Sequence, residues 1–261
     1  MTDSYFDLTL GIREEDFVFW SQCVISDANE SELSELLMTR IESEEDAIRL
    51  FSLAFEAQKV EGVRNMQCSV DIALMKAFLT PKNLVSALFQ VSKEFSHEIT
   101  TSFLLSIDSN VAENCVGEGA ATAFSLLGSE MFSGISFRGA RFVENPANFE
   151  RFLLSARRHL LKIVADIRAF PMFIEEDFFE KATPNIVVAF PSQAQSLLAH
   201  TEILKKLKTT LIFTPQSTKT PSSFQNTLLN FKNDGVCVQF GSGSRLLHKK
   251  RFSDFLHYFN K

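Results

Sequence analysis

IVVAF at residues 186–190 is the first of three short apolar runs, followed by TTLIF at 209–213 and VCVQF at 236–240. All three are enriched in β-branched residues, which favour strands. The runs begin 23 and then 27 residues apart, and helix-like segments at about 192–207 and 221–233 separate them. Parallel strands need a crossover of a dozen or more residues, and this spacing supplies one. The pattern therefore predicts neighbouring parallel strands joined by right-handed crossovers.

Upstream of residue 101 the sequence is typical of helices. Ser43 followed by Asp46 resembles a capping box, and Thr80-Pro81 places a capping hydroxyl before a proline at the first helical position. A further helix is predicted from about residue 69 to residue 79, because Ile72, Met75 and Leu79 keep a helical period. These signals predict a mainly helical region over residues 1–100.

From residue 101 onward strands and helices alternate. Apolar runs at 101–108 and 135–143 predict strands, and Asn145-Pro146 predicts the start of a helix whose apolar period continues to Ile167. The predicted fold class is α/β, with a mainly helical N-terminal region followed by a mostly parallel sheet with flanking helices. The region over 101–261 forms either a second domain or one continuous domain with the first.

The residue composition argues against a disulfide-rich, zinc-ribbon or membrane-spanning protein. The 261 residues include 27 Phe but 2 Tyr and 1 Trp, so the aromatic side chains suit a core or an oligomer interface better than a hydrogen-bonding surface. Four widely separated cysteines offer no disulfide framework and no zinc-ribbon spacing. The N-terminal segment lacks the features of a signal peptide, and no apolar run is long enough for a membrane span. We expect a cytoplasmic protein without a membrane association.

Charge is distributed unevenly along the chain. Residues 1–60 carry 14 acidic and 4 basic side chains, whereas residues 201–261 carry 3 acidic and 10 basic ones. The two ends either neutralise each other within the fold or meet a charged partner. The second alternative predicts a protein partner with a basic surface, and the residues that would contact it are acidic: Glu14, Glu15, Asp16, Glu44, Glu45 and Asp46.

Polar loops follow the last three predicted strands. In a parallel sheet the loops that leave the carboxyl ends share one edge, where ligands usually bind. Glycines at 241 and 243 let the backbone approach a ligand, and an arginine can clamp a phosphate or a carboxylate. The alternative is that the glycines serve turn geometry and the serines cap helices. The predicted ligand-binding residues are Ser192, Thr214, Ser242, Ser244, Arg245 and His248.

A second group of residues follows the strand predicted at 101–108. Asp108 ends that strand, and Cys115 precedes a predicted helix N-terminus, where a thiolate would be stabilised. A buried structural cysteine is the favoured interpretation, because no histidine can be placed beside it. The five histidines show no metal-ligand spacing, and no Walker or dinucleotide-binding motif occurs, so no metal or cofactor is predicted.

Two functional hypotheses follow. The favoured one is a non-enzymatic interaction or regulatory protein that docks a basic partner through its acidic N-terminal region. The alternative is an α/β enzyme or binding module that holds a phosphorylated or nucleotide-like ligand at the C-terminal loops. Nucleic acid is disfavoured, because the pI is about 5.5 and the aromatics beside the basic tail fall at helical spacing.

Overall fold

The structure is a computed structural model whose described residues centre on one parallel sheet. It describes residues 3–7, 43–60, 63–71, 80–108, 124–139, 146–167, 169–174, 183–214 and 221–240. Within these residues eight strands pair in the order of the chain, each parallel to the next. They are β1 Asp3–Asp7, β2 Asn65–Asp71, β3 Thr100–Asp108, β4 Phe132–Arg138, β5 Lys162–Asp166, β6 Ile186–Ala189, β7 Thr210–Phe213 and β8 Cys237–Phe240.

Helices occupy the crossovers between the strands. Longer ones join β1 to β2, β2 to β3, β4 to β5 and β7 to β8, and short helices and 3-10 turns cover the crossovers around β6. The helices are α1 Glu44–Val60, α2 Pro81–Glu94, α3 Pro146–Arg158, α4 Pro171–Ile174, α5 Ala194–Leu197, α6 Thr201–Lys206 and α7 Phe224–Asn233, with 3-10 turns at Pro191–Gln193 and Leu198–His200.

The sheet curls on itself, because its two edge strands, β1 and β8, contact each other. One face of the sheet packs against the helices in a large core that includes Phe51, Phe149 and Phe231. The opposite face carries a separate, smaller cluster of Leu104, Val164 and Ile212. A curled all-parallel sheet with helices outside and a second cluster inside is the α/β-barrel architecture. We call the second group, together with Ile186 and Val188 packed against it, the interior cluster.

Local signals explain where two helices begin. Thr80 caps α2, with Oγ1 accepting a hydrogen bond from the Asn83 backbone N–H at 3.2 Å, as predicted. Before α1, Ser43 Oγ accepts from the Asp46 N–H at 3.1 Å and donates to the Asp46 carboxylate at 2.8 Å. Both arrangements satisfy N–H groups that the first helical turn leaves without a partner.

The helix predicted from Pro146 through Ile167 is too long. α3 ends at Arg158, Leu160 adopts a φ of 54°, and β5 begins at Lys162. The Leu161 N–H bonds to the Ala156 carbonyl at 2.9 Å, which closes the helix in a Schellman turn. The apolar residues of β5 happened to continue the helical period, so the pattern concealed a strand.

The predicted fold class is confirmed, with one addition. Residues 65–71 form β2, so strands also run through the region that was predicted to be mainly helical, and Ser69 to Asp71 are strand rather than helix. The rest of the helix predicted to residue 79 lies outside the described residues. The boundary at residue 100 stays a prediction, although β2 and β3 pair across it.

No helix among the described residues has both the length and the apolar character needed to cross a bilayer.

Candidate functional site

The carboxyl ends of the strands meet at one mouth of the barrel, because all strands run in the same direction. In barrels of this kind the active site lies at that mouth. The first five strands all end there on a charged residue: Asp7, Asp71, Asp108, Arg138 and Asp166.

Three serines line the interior just below this mouth. Ser69 pairs with Leu104, and Ser106 pairs with Ser136, which in turn pairs with Val164. Paired residues of parallel strands share a face, so the serines lie on the same face as the interior cluster. Each of the three is at most 1% exposed.

The hydroxyls of Ser69 and Ser106 have no hydrogen-bond partner among the described residues. A buried polar group without a partner is costly, and in native proteins the large majority of buried polar side-chain atoms are paired with protein or with ordered water. These two hydroxyls therefore require a partner that the described protein atoms do not supply.

The other half of the interior is apolar. Val164 on β5, Ile186 and Val188 on β6, and Ile212 on β7 pack together and against Leu104. The interior thus has a hydroxyl-bearing side on β2 to β4 and an aliphatic side on β5 to β7. A ligand with one hydrogen-bonding edge and one flat apolar face complements such a surface.

Asp166 organises the mouth. Its Oδ1 accepts a hydrogen bond from the Ala169 N–H at 2.8 Å, and its Oδ2 accepts one from the Gly139 N–H at 3.1 Å. Gly139 has a φ of 91°, a conformation that suits glycine, and it directly follows β4. The carboxylate therefore holds the turn after β5 and the turn after β4 in one position.

Of the predicted ligand-binding residues, two lie within the described part of the chain. Thr214 directly follows β7 and is buried at 3% exposure, and its N–H bonds to the Ala189 carbonyl at 3.0 Å. Ser192 is exposed in the 3-10 turn that follows β6. Ala189 pairs with Phe213, so the structure brings both residues to one edge through parallel strands, as the spacing predicts. The rest of that set, Ser242, Ser244, Arg245 and His248, lies outside the described residues, as does Cys115.

The acidic residues predicted to meet a partner divide in the same way. Glu44, Glu45 and Asp46 form the first turn of α1, where negative charge is stabilised by the helix dipole. Glu14, Glu15 and Asp16 lie outside the described residues. A contact of either group with a basic partner stays a prediction.

At the opposite end of the barrel, a surface ion pair joins the C-terminus of α1 to the segment before β3. Lys59 Nζ lies 2.9 Å from Glu98 Oε1. The hydrogen bond that the Lys59 ammonium donates to the Glu98 carboxylate raises the pKa of Lys59. Both side chains are about two-fifths exposed, so we expect this pair to add little to stability.

Solved enzyme structures share this architecture. An amidohydrolase from Burkholderia ambifaria, solved with bound zinc, superposes with a TM-score of 0.72 at 12% identity, covering 100% of this chain and 80% of that one. An adenine deaminase from Arthrobacter aurescens superposes with a TM-score of 0.70 at 12% identity, covering 99% of this chain and 86% of that one. No protein-family model and no curated protein sequence matches the chain.

These likenesses correct the favoured functional hypothesis. The prediction of a non-enzymatic protein that docks a basic partner is wrong, because the chain has the fold of two enzymes along its whole length. The prediction depended on the excess of acidic residues near the N-terminus. In the structure, the acidic residues of the first turn of α1 interact favourably with the dipole of their own helix. The comparisons favour the alternative, an enzyme or a ligand-binding module.

Among the described residues, the strand ends at this mouth offer no imidazole or thiolate for a zinc ion like that of the Burkholderia structure. Zinc sites in proteins use imidazole and thiolate ligands with or without carboxylates. None of the eight strands, and none of the five residues after each, contains a histidine. Cys68 belongs to the helix-packed core, and Cys237 lies at the amino end of β8. Among the described residues no cluster of three potential ligands forms.

Sequence reasoning missed the most informative residues of the mouth. The apolar pattern places Ser69 in a helix. It predicts no functional role for Ser106 or Ser136, because a serine in an apolar strand has no distinctive local pattern. A polar residue at every second position of a strand was the available signal. Asp108 was correctly placed at a strand end.

Proposed function

We propose that this chain is an enzyme or binding module that holds a nucleobase-like or nucleotide-like ligand at the carboxyl-end mouth of its barrel. The proposal depends on one observation: Ser69 and Ser106 bury hydroxyls in the interior without a partner among the described residues. A ligand edge with hydrogen-bonding groups would supply that partner.

Further support comes from the two-sided interior. Purine rings present a hydrogen-bonding edge and flat apolar faces, and the interior offers hydroxyls on β2 to β4 and aliphatic side chains on β5 to β7. One structural neighbour is an adenine deaminase, and adenine is a ligand of this class. The polar loop residues Ser192 and Thr214 lie at the same mouth, where the proposal places a ribose or a phosphate.

Among the described residues the strand ends at this mouth carry no imidazole, so we assign no role there to histidine-bound zinc. Strand ends that carry carboxylates and buried hydroxyls suit hydrogen bonds to amino and ring N–H groups of a base. The residues that we assign to the ligand are therefore Ser69 and Ser106 for the base edge, with Asp166 as a positioning residue for the two turns that form the rim.

The test is calorimetric titration of the whole chain with adenine, adenosine and AMP, repeated on Ser106→Ala. We expect at least one of the three to bind, and the variant to weaken that binding about tenfold, the effect of one lost buried hydrogen bond. The ligand-free variant should be as stable as the parent or slightly more so, because an unsatisfied hydroxyl is removed.

Ser133→Ala is the matched control. Ser133 Oγ donates to the Phe103 carbonyl at 3.1 Å, so its loss should lower stability by about 1 kcal/mol without affecting ligand affinity. If none of the three compounds binds, or if Ser106→Ala binds as the parent does, the proposal fails. Release of ammonia during incubation with adenine or adenosine would distinguish an enzyme from a binding module.

A further inference from the structure

A cavity opens at the amino-end mouth, on the far side of the barrel from the proposed nucleobase site. It is a cavity of about 580 Å³, within the range of small-molecule sites. Its rim is formed by the first residues of five strands: Asn65, Thr100, Lys162, Ile186 and Thr210.

The described lining is cationic and rich in hydrogen-bonding groups. It contains Lys162 and Lys208 and no acidic residue, together with amide and hydroxyl side chains. Neither lysine has an ion-pair partner among the described residues, in contrast to Lys59, which pairs with Glu98 nearby on the same end of the barrel. Thr100, Ser102 and Thr210 supply the hydroxyl groups of this lining.

The two lysines lie at the same level on either side of β6. Val164, Ile186 and Thr210 are paired across β5, β6 and β7, and each lysine precedes its paired residue by two positions. Two strand spacings separate them, roughly 10 Å between Cα atoms. Long flexible side chains at that separation can converge on one small anion.

The backbone of Lys208 is held in an unfavourable conformation. It has a φ of 54°, two residues after the end of α6, and the N–H of the next residue, Thr209, bonds to the Leu204 carbonyl at 3.0 Å. The equivalent position before β8 is occupied by Gly235, with a φ of 81°. A glycine at position 208 would adopt this φ with less strain, so the lysine lowers the stability of the fold locally.

Asn185 adds a donor between the two lysines. Its Oδ1 accepts a hydrogen bond from the Ile163 N–H at 2.8 Å, which fixes the orientation of the carboxamide. The Nδ2 group is the remaining end of that amide, and Asn185 lines the cavity. The wall therefore presents ammonium, amide and hydroxyl donors, which is the donor set that oxyanions require.

We propose that the amino-end cavity binds a small multivalent oxyanion, a polyphosphate or a dicarboxylate, between Lys162 and Lys208. This site is separate from the proposed nucleobase site, and the inference does not depend on it. Because the ligand bridges β5, β6 and β7, its binding stabilises the folded barrel.

The experiment is calorimetric titration of the full chain with inorganic pyrophosphate in one arm and succinate in the other, at two salt concentrations. We expect one of the two to bind, with an affinity that falls as salt rises. Pyrophosphate binding identifies phosphoryl chemistry, and succinate binding identifies carboxylate chemistry. Absence of binding in both arms overturns the proposal.

The variants are Lys208→Gly and Lys162→Met, with Lys206→Met as the matched control. Lys208→Gly removes the charge and also relieves the strained φ, so loss of binding cannot be attributed to misfolding. We expect each cavity variant to weaken binding at least about tenfold. Lys206 carries the same charge on α6 but does not line the cavity, so its variant should bind as the parent does. Equal loss in all three variants would mean non-specific anion binding and would overturn the proposal.

Discussion

The carboxylate of Asp166 joins two turns of the barrel mouth: it accepts a hydrogen bond from the Gly139 N–H at 3.1 Å and another from the Ala169 N–H at 2.8 Å. Gly139 belongs to the turn after β4 and Ala169 to the turn after β5. A single side chain therefore sets the spacing between neighbouring loops of the proposed ligand site.

Asp166→Ala should destabilise the protein by about 2–4 kcal/mol, because two backbone N–H groups lose a charged acceptor. Urea unfolding followed by circular dichroism measures the change. Asp166→Asn retains the size and one acceptor oxygen, so we expect an intermediate loss. A change below about 0.5 kcal/mol in the alanine variant would mean that the two hydrogen bonds do not hold the turns.

Gly134 on β4 has no space for a side chain. A Cβ there would lie 2.6 Å from Leu104 Cδ2 and 2.6 Å from the Lys162 carbonyl oxygen, and the second of these is backbone. Gly134→Ala should therefore cost about 1–3 kcal/mol, the usual penalty for overpacking.

Gly128→Ala provides the comparison for Gly134. The first atom that a Cβ there would meet is the Ser125 carbonyl oxygen at 3.5 Å, which is ordinary van der Waals contact. Thermal unfolding of the two variants should show a clear loss for Gly134→Ala and little change for Gly128→Ala. Equal melting temperatures would contradict the packing described around Gly134.

Two helices, α3 and α7, are each followed by a residue in the left-handed region, and substitutions at these two positions should have opposite effects on stability. Leu160 has a φ of 54° and is 93% exposed, so Leu160→Gly should stabilise the protein by up to about 1 kcal/mol. Gly235 has a φ of 81°, so Gly235→Ala should lower the free energy of unfolding by about 1 kcal/mol. Chemical denaturation checks both, and a loss of stability in Leu160→Gly would contradict this account.

Phe149 lies at the centre of an aromatic group between α3 and the sheet. Its ring centroid is 4.7 Å from that of Phe137 and 5.1 Å from that of Phe173, both in edge-to-face geometry. All three side chains are fully buried. Phe149→Ala should lower the free energy of unfolding by about 3–5 kcal/mol.

Phe89 on α2 is the control. It is 60% exposed, so Phe89→Ala should change the free energy of unfolding by no more than about 0.5 kcal/mol. Similar effects in the two variants would contradict the packing of α3.

The sequence predicted the elements whose local signals are strong. Thr80-Pro81 marked the start of α2, and the apolar runs of β6, β7 and β8 marked parallel neighbours, because propensity, spacing and capping all act over a few residues. It concealed β5, whose residues continued the helical period of α3 until Leu160 turned the chain. The apolar pattern also predicts a helix from about residue 69, where the structure has the last residues of β2.

The candidate site was less accessible to sequence reasoning. Thr214 and Asp108 were placed at strand ends, since a strand end can be found from the polar residue that terminates an apolar run. The pairing of Ser106 with Ser136 depends on register between strands that are distant in the sequence. Register is set by the whole sheet, so no local window contains it.

The sequence by itself determined the alternation of strands and helices from residue 101 onward and the Phe-rich core. Only the tertiary structure decided that the sheet curls until β1 meets β8, which gives the protein an inside and two mouths. Closure converts side chains on one face of separate strands into neighbours. For that reason two features appear only in the folded chain: at one mouth, the buried hydroxyls that have no partner among the described residues, and at the other, the neighbouring positions of the two lysines.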